Sequence, residues 1–197
     1  MNSPSRLLAS IAACVCLANL AHADARLPTM TDQVTAGLQL NGTGTRYRGP
    51  FRVYNAGLYL TRKASTPEDV FATVGAKRLA ITMLRDIDAA DLGKLFIRGV
   101  EDNMADRSAF SKLVPGLMRM GQIFASNRKL AAGDTVSIDW VPGVGTVIHV
   151  RGLPQGEPFR EPEFYAAMMR IWIGPSPADW QLKERLLGRA VEVAGGV

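Results

Sequence analysis

The sequence predicts an α+β fold built on a mainly antiparallel sheet. Three observations carry that expectation. Two alternating segments, Gln39–Arg48 and Phe51–Leu60, are joined only by Gly49-Pro50. A second alternating pair, residues 135–141 and 146–151, is joined by Pro142-Gly143-Val144-Gly145. Helical periodicities fall in blocks between and after these pairs, so a parallel βαβ sheet is not expected.

In the second strand, Phe51, Val53, Asn55 and Tyr59 point one way and Tyr54, Ala56, Leu58 and Leu60 the other. Both sets are substantially apolar, which predicts a strand covered on both faces. Thr66-Pro67-Glu68-Asp69 opens a short helix: Thr caps it, Pro fits its first position and acids occupy its first turn. Gly75 closes it, and residues 77–84 form a strand. Asp88-Ala89-Ala90-Asp91 opens a helix running to about Met104, with Leu92, Leu95, Phe96 and Val100 as its apolar stripe. The next helix spans residues 108–129 and turns Phe110, Leu113, Leu117 and Phe124 inward; Pro115 predicts an early break or kink. After the Gly133-Asp134 turn and the second hairpin come two more helices. Residues 161–173 are stopped by Gly174-Pro175, and residues 177–187 by Gly188.

Residues 1–23 read as a secretory signal peptide. Arg6 supplies positive charge, residues 7–20 are apolar and small, and Ala21-His22-Ala23 offers small residues at a cleavage site before Asp24. The run is shorter than the roughly 20 apolar residues of a membrane span. Export predicts a periplasmic or secreted protein. One variant stays open: Ile11-Ala12-Ala13-Cys14 resembles a lipobox, which would lipidate Cys14, although the apolar run continues through Val15 and Leu17. Both cysteines, Cys14 and Cys16, lie in this leader, so cleavage leaves a chain with neither disulfides nor thiolate ligands. The remaining 174 residues (197 minus 23) suit one domain, and a hydrophobic content of 47% suffices for its core. The net charge of +5 is scattered, with no basic run, which argues against nucleic acid as a partner.

Familiar catalytic constellations are missing. Beyond the leader, His149 is the one histidine, expected on a strand surface rather than as a metal ligand, and no metal or cofactor is expected. Gly42-Thr43-Gly44 lacks the rest of a phosphate loop. Two polar residues in apolar settings remain. Asn103 continues the stripe of Phe96 and Val100; it either bonds to backbone or water at a helix end or faces a cavity. Arg46 either points to water from an edge strand or meets an acidic ligand such as a carboxylate or enolate. Tyr54, in the partner strand, is placed to share its face.

Gly42-Thr43-Gly44-Thr45-Arg46, followed by Phe51–Leu60 with its Gly57-Leu58-Tyr59-Leu60 ending, resembles the opening of the chalcone isomerase family. The helix from Phe96 to Asn103 and the stretch from Glu163 to Leu187 match later helices of that family. The closer resemblance is to its bacterial chalcone isomerase-like members, which carry a signal peptide and the Val-Tyr-x-Ala-Gly-Leu-Tyr-Leu strand. The fold implied is an open-faced β-sandwich, a large antiparallel sheet with helices packed on one face and a cleft between them. The family's catalytic arginine falls on Arg46 and its asparagine on Asn103. Its active-site tyrosine falls on Phe96, its strand threonine on Tyr54, and a hydroxy residue of the penultimate helix near Ile171. The hairpin between Arg46 and Gly57 is about four residues shorter.

Losing one preorganised hydrogen-bond donor typically costs a hundredfold or more in rate. That weakens the catalytic reading, and the resemblance, through the family's fatty-acid-binding members and the retained Arg46, implies a non-catalytic binder of an apolar anionic ligand such as a fatty acid, with Arg46 as anion partner. Two alternatives remain: an isomerase or intramolecular lyase acting on a conjugated carbonyl compound, and a structural or partner-binding envelope protein whose cleft is closed by Phe96, Met168 and Trp172.

Overall fold

The computed structural model describes residues 37–191. The expected leader, with Cys14 and the cleavage site, lies outside them. Strands β1 (Gln39–Arg48) and β2 (Phe51–Leu60) pair antiparallel, with Arg46 opposite Tyr54. Helix α1 (Pro67–Ala72) leads to β3 (Lys77–Met83). A short pair, β4 (Ile87–Asp88) with β5 (Lys129–Leu130), brackets α2 (Ala89–Asp102) and α3 (Arg107–Ser126). Then follow β6 (Thr135–Val141), β7 (Gly145–Val150), β8 (Leu153–Pro154), α4 (Pro162–Ile173) and α5 (Trp180–Leu186). The main sheet has six strands in the order β1-β2-β3-β6-β7-β8, all antiparallel.

The local signals act where they stand in the chain. Thr66 accepts a hydrogen bond from Asp69 N at 3.1 Å and caps α1. Asp88 caps α2 through Asp91 N at 3.0 Å. Each bond satisfies a backbone donor that the first helical turn leaves without a partner.

The core lies between one face of the sheet and the helices. Leu58, Leu60, Leu79, Ile81, Ile138 and Ile148 face Met120, Phe124, Met168 and Trp172. Helix α4 buries eight of its twelve residues, so it is apolar nearly all round. The glycines of β1 bring α5 down onto this face. A Cβ on Gly42 would stand 2.0 Å from Arg185 O and 2.7 Å from Leu186 O, and one on Gly44 would meet the Arg185 and Leu182 side chains.

Four sequence expectations are corrected. Strand β2 is covered on one face only: Tyr54, Ala56, Leu58 and Leu60 are buried, while Phe51 is 58% exposed and Val53, Asn55 and Tyr59 are half-buried. The open face carries polar pairs, such as Thr45 Oγ1 donating to Asn55 Oδ1 at 2.8 Å. Leu95 is 52% exposed, because α2 turns Gly93 toward α3, where Phe124 Cβ stands 3.0 Å from the position of a Gly93 Cβ. A single helix runs through Pro115. Pro115 and Ser111 are exposed, so water can satisfy the Ser111 carbonyl left without its helical donor, while buried Leu113 and Leu117 hold both sides. The last helix starts at Trp180 rather than 177, since Asp179 caps it by accepting from Leu182 N at 3.1 Å.

Candidate functional site

Strand β1 is an edge strand, and Arg46 stands on its helix-facing side beside Tyr54. Its side chain is about one quarter exposed. Nη1 donates to the Tyr47 carbonyl and lies 3.4 Å from Asp179 Oδ2. Asp179 thus caps α5 with one oxygen and holds β1 with the other, which also accepts from Tyr47 N at 3.3 Å. A guanidinium has five N–H donors in a planar fork. The Tyr47 carbonyl and Asp179 both engage Nη1, which leaves part of that fork available to a ligand.

The Tyr54 hydroxyl is fixed from below, accepting from Trp172 Nε1 at 2.9 Å. Burial pushes its pKa up to about 12, against the opposing influence of Trp172 and Arg46. It therefore stays protonated at neutral pH and can donate. Arg46, Tyr54, Phe96 and Ile171 line one cavity of about 200 Å³, with Leu92 and Ala178 as further wall and exposed Leu95 at its edge. Apart from Arg46 and Tyr54, the polar lining is Ser176 and the exposed Arg98 and Asp102, and the rest is apolar.

Asn103 does not join this group. Its Nδ2 donates to Gly99 O and Ser176 O, both at 2.8 Å, and its Oδ1 accepts from Ser176 N at 2.9 Å. Both donors are engaged and the amide is buried. It ties the end of α2 to the loop after α4. The same contact explains Gly174, where a Cβ would stand 2.3 Å from Asn103 Oδ1.

Phe96 packs edge-on against Phe124 and Trp172, with centroids 5.3 and 5.2 Å away. Phe96, Met168 and Trp172 are all buried in the core between sheet and helices. Phe96 offers no hydroxyl there, and Ile171 offers none either.

His149 is buried, contrary to the surface position expected of it. On the sheet face away from the helices, Asp139 takes two hydrogen bonds from Arg78, at 2.7 and 2.8 Å. His149 Nδ1 lies 3.1 Å from Asp139 Oδ2 and 3.3 Å from Ser137 Oγ. Burial pulls the Asp139 pKa upward, but the bonds from Arg78 and His149 outweigh it and hold the carboxyl below its usual range. Serine and aspartate both address Nδ1 here, whereas a nucleophilic triad uses opposite ring nitrogens. The alternation of β6 and β7 places Ser137, Asp139 and His149 on one face, a signal legible beforehand. The contact of Asp179 with Arg46, by contrast, has no local signal, since it spans 133 residues. Among the described residues no group of three or more His, Cys, Asp or Glu could hold a metal ion, and no helix is long and apolar enough to cross a membrane.

A family model described as chalcone isomerase-like matches residues 20–188. No curated protein matches the sequence. Among solved structures, the chain is similar to a fatty-acid binding protein of Arabidopsis thaliana. The two superpose with a TM-score of 0.59 at 15% identity, over 77% of this chain and 87% of the other. At that identity the likeness speaks for the fold.

Proposed function

The chain belongs to the chalcone isomerase-like family, and from that premise we propose that it is an exported, non-catalytic binder of a small apolar ligand with an acidic head group. The observation that carries this reading is the Arg46 cavity, where a partly free guanidinium and a protonated Tyr54 hydroxyl meet apolar walls. A carboxylate would take the open part of the Arg46 fork. At about 200 Å³ the cavity is below the roughly 300–1,000 Å³ of drug-sized sites. It therefore holds the head group and first carbons, and the chain continues over Leu95. The structural relative described as a fatty-acid binding protein supports the ligand class. The isomerase reading has weaker support, because Phe96 lacks a hydroxyl and both Asn103 donors are taken by backbone.

The test is native mass spectrometry of protein purified from its own host. A co-purifying lipid acid, and fatty-acid affinity lost in Arg46→Ala, are expected. Neither appearing would overturn the reading. Export is tested by sequencing the secreted or periplasmic protein: an N-terminus at Asp24 is expected, and one at Met1 refutes cleavage.

One observation favours a second reading, a partner-binding envelope protein. Phe96, Met168 and Trp172 interlock in the space a larger ligand would need. On that reading no fatty acid co-purifies and Arg46→Ala changes nothing that is bound.

A further inference from the structure

Two cations that no ion pair among the described residues engages converge on a different cavity. This cavity, of about 670 Å³, lies between α1, the turn joining α2 to α3, the end of α4, and α5. Arg170 and Lys183 line it, and Phe71, Met104 and Ile173 give it apolar walls. Lys183 is only 9% exposed. Its ammonium donates to Gly174 O at 2.8 Å and sits 4.7 Å from the centre of the Trp180 ring. An ammonium carries three donors, and burying a charge without a counter-charge is costly. Arg170 lies over Phe71, 5.6 Å from the ring centre. The carboxylates at this cavity do not neutralise either group. Asp106 caps α3, accepting from Ser108 N and Ala109 N at 2.8 and 3.2 Å. Glu68 is exposed in the first turn of α1.

We infer that this cavity is a second ligand site, taking an amphipathic carboxylate with its head group at Arg170 and Lys183 and its chain along Phe71, Met104 and Ile173. Its volume falls within the range of small-molecule sites, which that of the Arg46 cavity does not. Asn103 lines this cavity, while its partners Gly99 and Ser176 line the other, so its amide stands in the wall between them. The inference rests on the proposed function for the class of ligand alone; the site and its residues are different.

The experiment titrates the full chain with dodecanoate, below its micelle concentration, and reads the methionine methyl signals by NMR beside calorimetric affinity. Dodecanoate is expected to shift the Met104 methyl saturably. Dodecanol, with the same chain and no charge, is expected to bind at least tenfold more weakly. The double variant Arg170→Ala/Lys183→Met is expected to lose at least tenfold in the affinity read at Met104. If that variant does not fold, Ala109→Trp, which fills the cavity from α3, replaces it and is expected to abolish the shift. The Met104 shift persisting in Arg46→Ala supports this site even where the Arg46 reading fails. A Met104 signal unmoved at saturation, or dodecanol binding as tightly as dodecanoate, overturns the inference. So does an unchanged affinity in a folded double variant.

Discussion

Replacing Asn103 by alanine separates a ligand-holding amide from one that holds the fold. The side chain makes three hydrogen bonds, to Gly99 O, Ser176 O and Ser176 N. Each contributes about 1 kcal/mol net, so their joint loss amounts to roughly 3 kcal/mol. The open cavity beside Asn103 lets water reach some of the released groups, which places the expectation at about 2–3 kcal/mol. For a domain of this size that is a fall of roughly 4–12 °C in Tm. Asn103→Asp sharpens the comparison. It keeps an acceptor for Ser176 N but presents oxygen to two carbonyls, so it should destabilise at least as much as alanine. The assay is urea unfolding followed by circular dichroism, with dodecanoate affinity measured on the folded fraction. An Asn103→Ala protein within about 0.5 kcal/mol of wild type, the noise level for a surface change, and yet unable to bind dodecanoate, would refute the structural role and restore the amide to the ligand.

The packing role of Gly42 predicts that Gly42→Ala destabilises by about 2–4 kcal/mol, since the new methyl meets helix backbone at 2.0 Å and strains the Asn41 bond to Leu186 O; differential scanning calorimetry reads it, and an unchanged Tm contradicts it. Tyr165→Phe should raise stability by about 1 kcal/mol, because the Tyr165 hydroxyl is buried with no hydrogen-bond partner among the described residues. The same phenol has its pKa raised, first by burial and then by the Asp139 charge, so it should remain silent in an alkaline titration until unfolding. The Asp139 carboxyl is held below its ordinary 3.8, so its stabilisation is complete above that pH and is lost as pH falls through the lower folded value. Acid unfolding should therefore lose this component in Asp139→Asn, whose stability at neutral pH is also reduced; parallel acid curves for the two proteins would show that Asp139 is not so coupled.

Much of the frame is legible in the chain because it depends on neighbours in sequence. Thr66 and Asp88 cap the helices that follow them, and Gly49-Pro50 turns β1 into β2. Leu95 and Pro115 depart from the local pattern for different reasons. Periodicity gives a stripe about 100° wide but not its rotation, and that was decided by Gly93 admitting Phe124. Proline in a helix is judged by which carbonyl it orphans, and exposure of the turn around Ser111 and Pro115 made that tolerable.

The sequence by itself determined the class of fold, the order of its long strands and helices, and the face of the hairpin that Arg46 and Tyr54 share, while the short strands β4, β5 and β8 carried no such signal. What it determined follows from short-range backbone preferences and from a strand period of two. Tertiary structure alone decided what Arg46, Asn103 and Tyr54 do. Asp179 reaches Arg46 across 133 residues, Ser176 takes up the Asn103 amide from 73 residues away, and Trp172 bonds Tyr54 from 118. A buried polar group must find a partner wherever packing offers one. That partner is set by how the helices settle on the sheet, which no local pattern encodes.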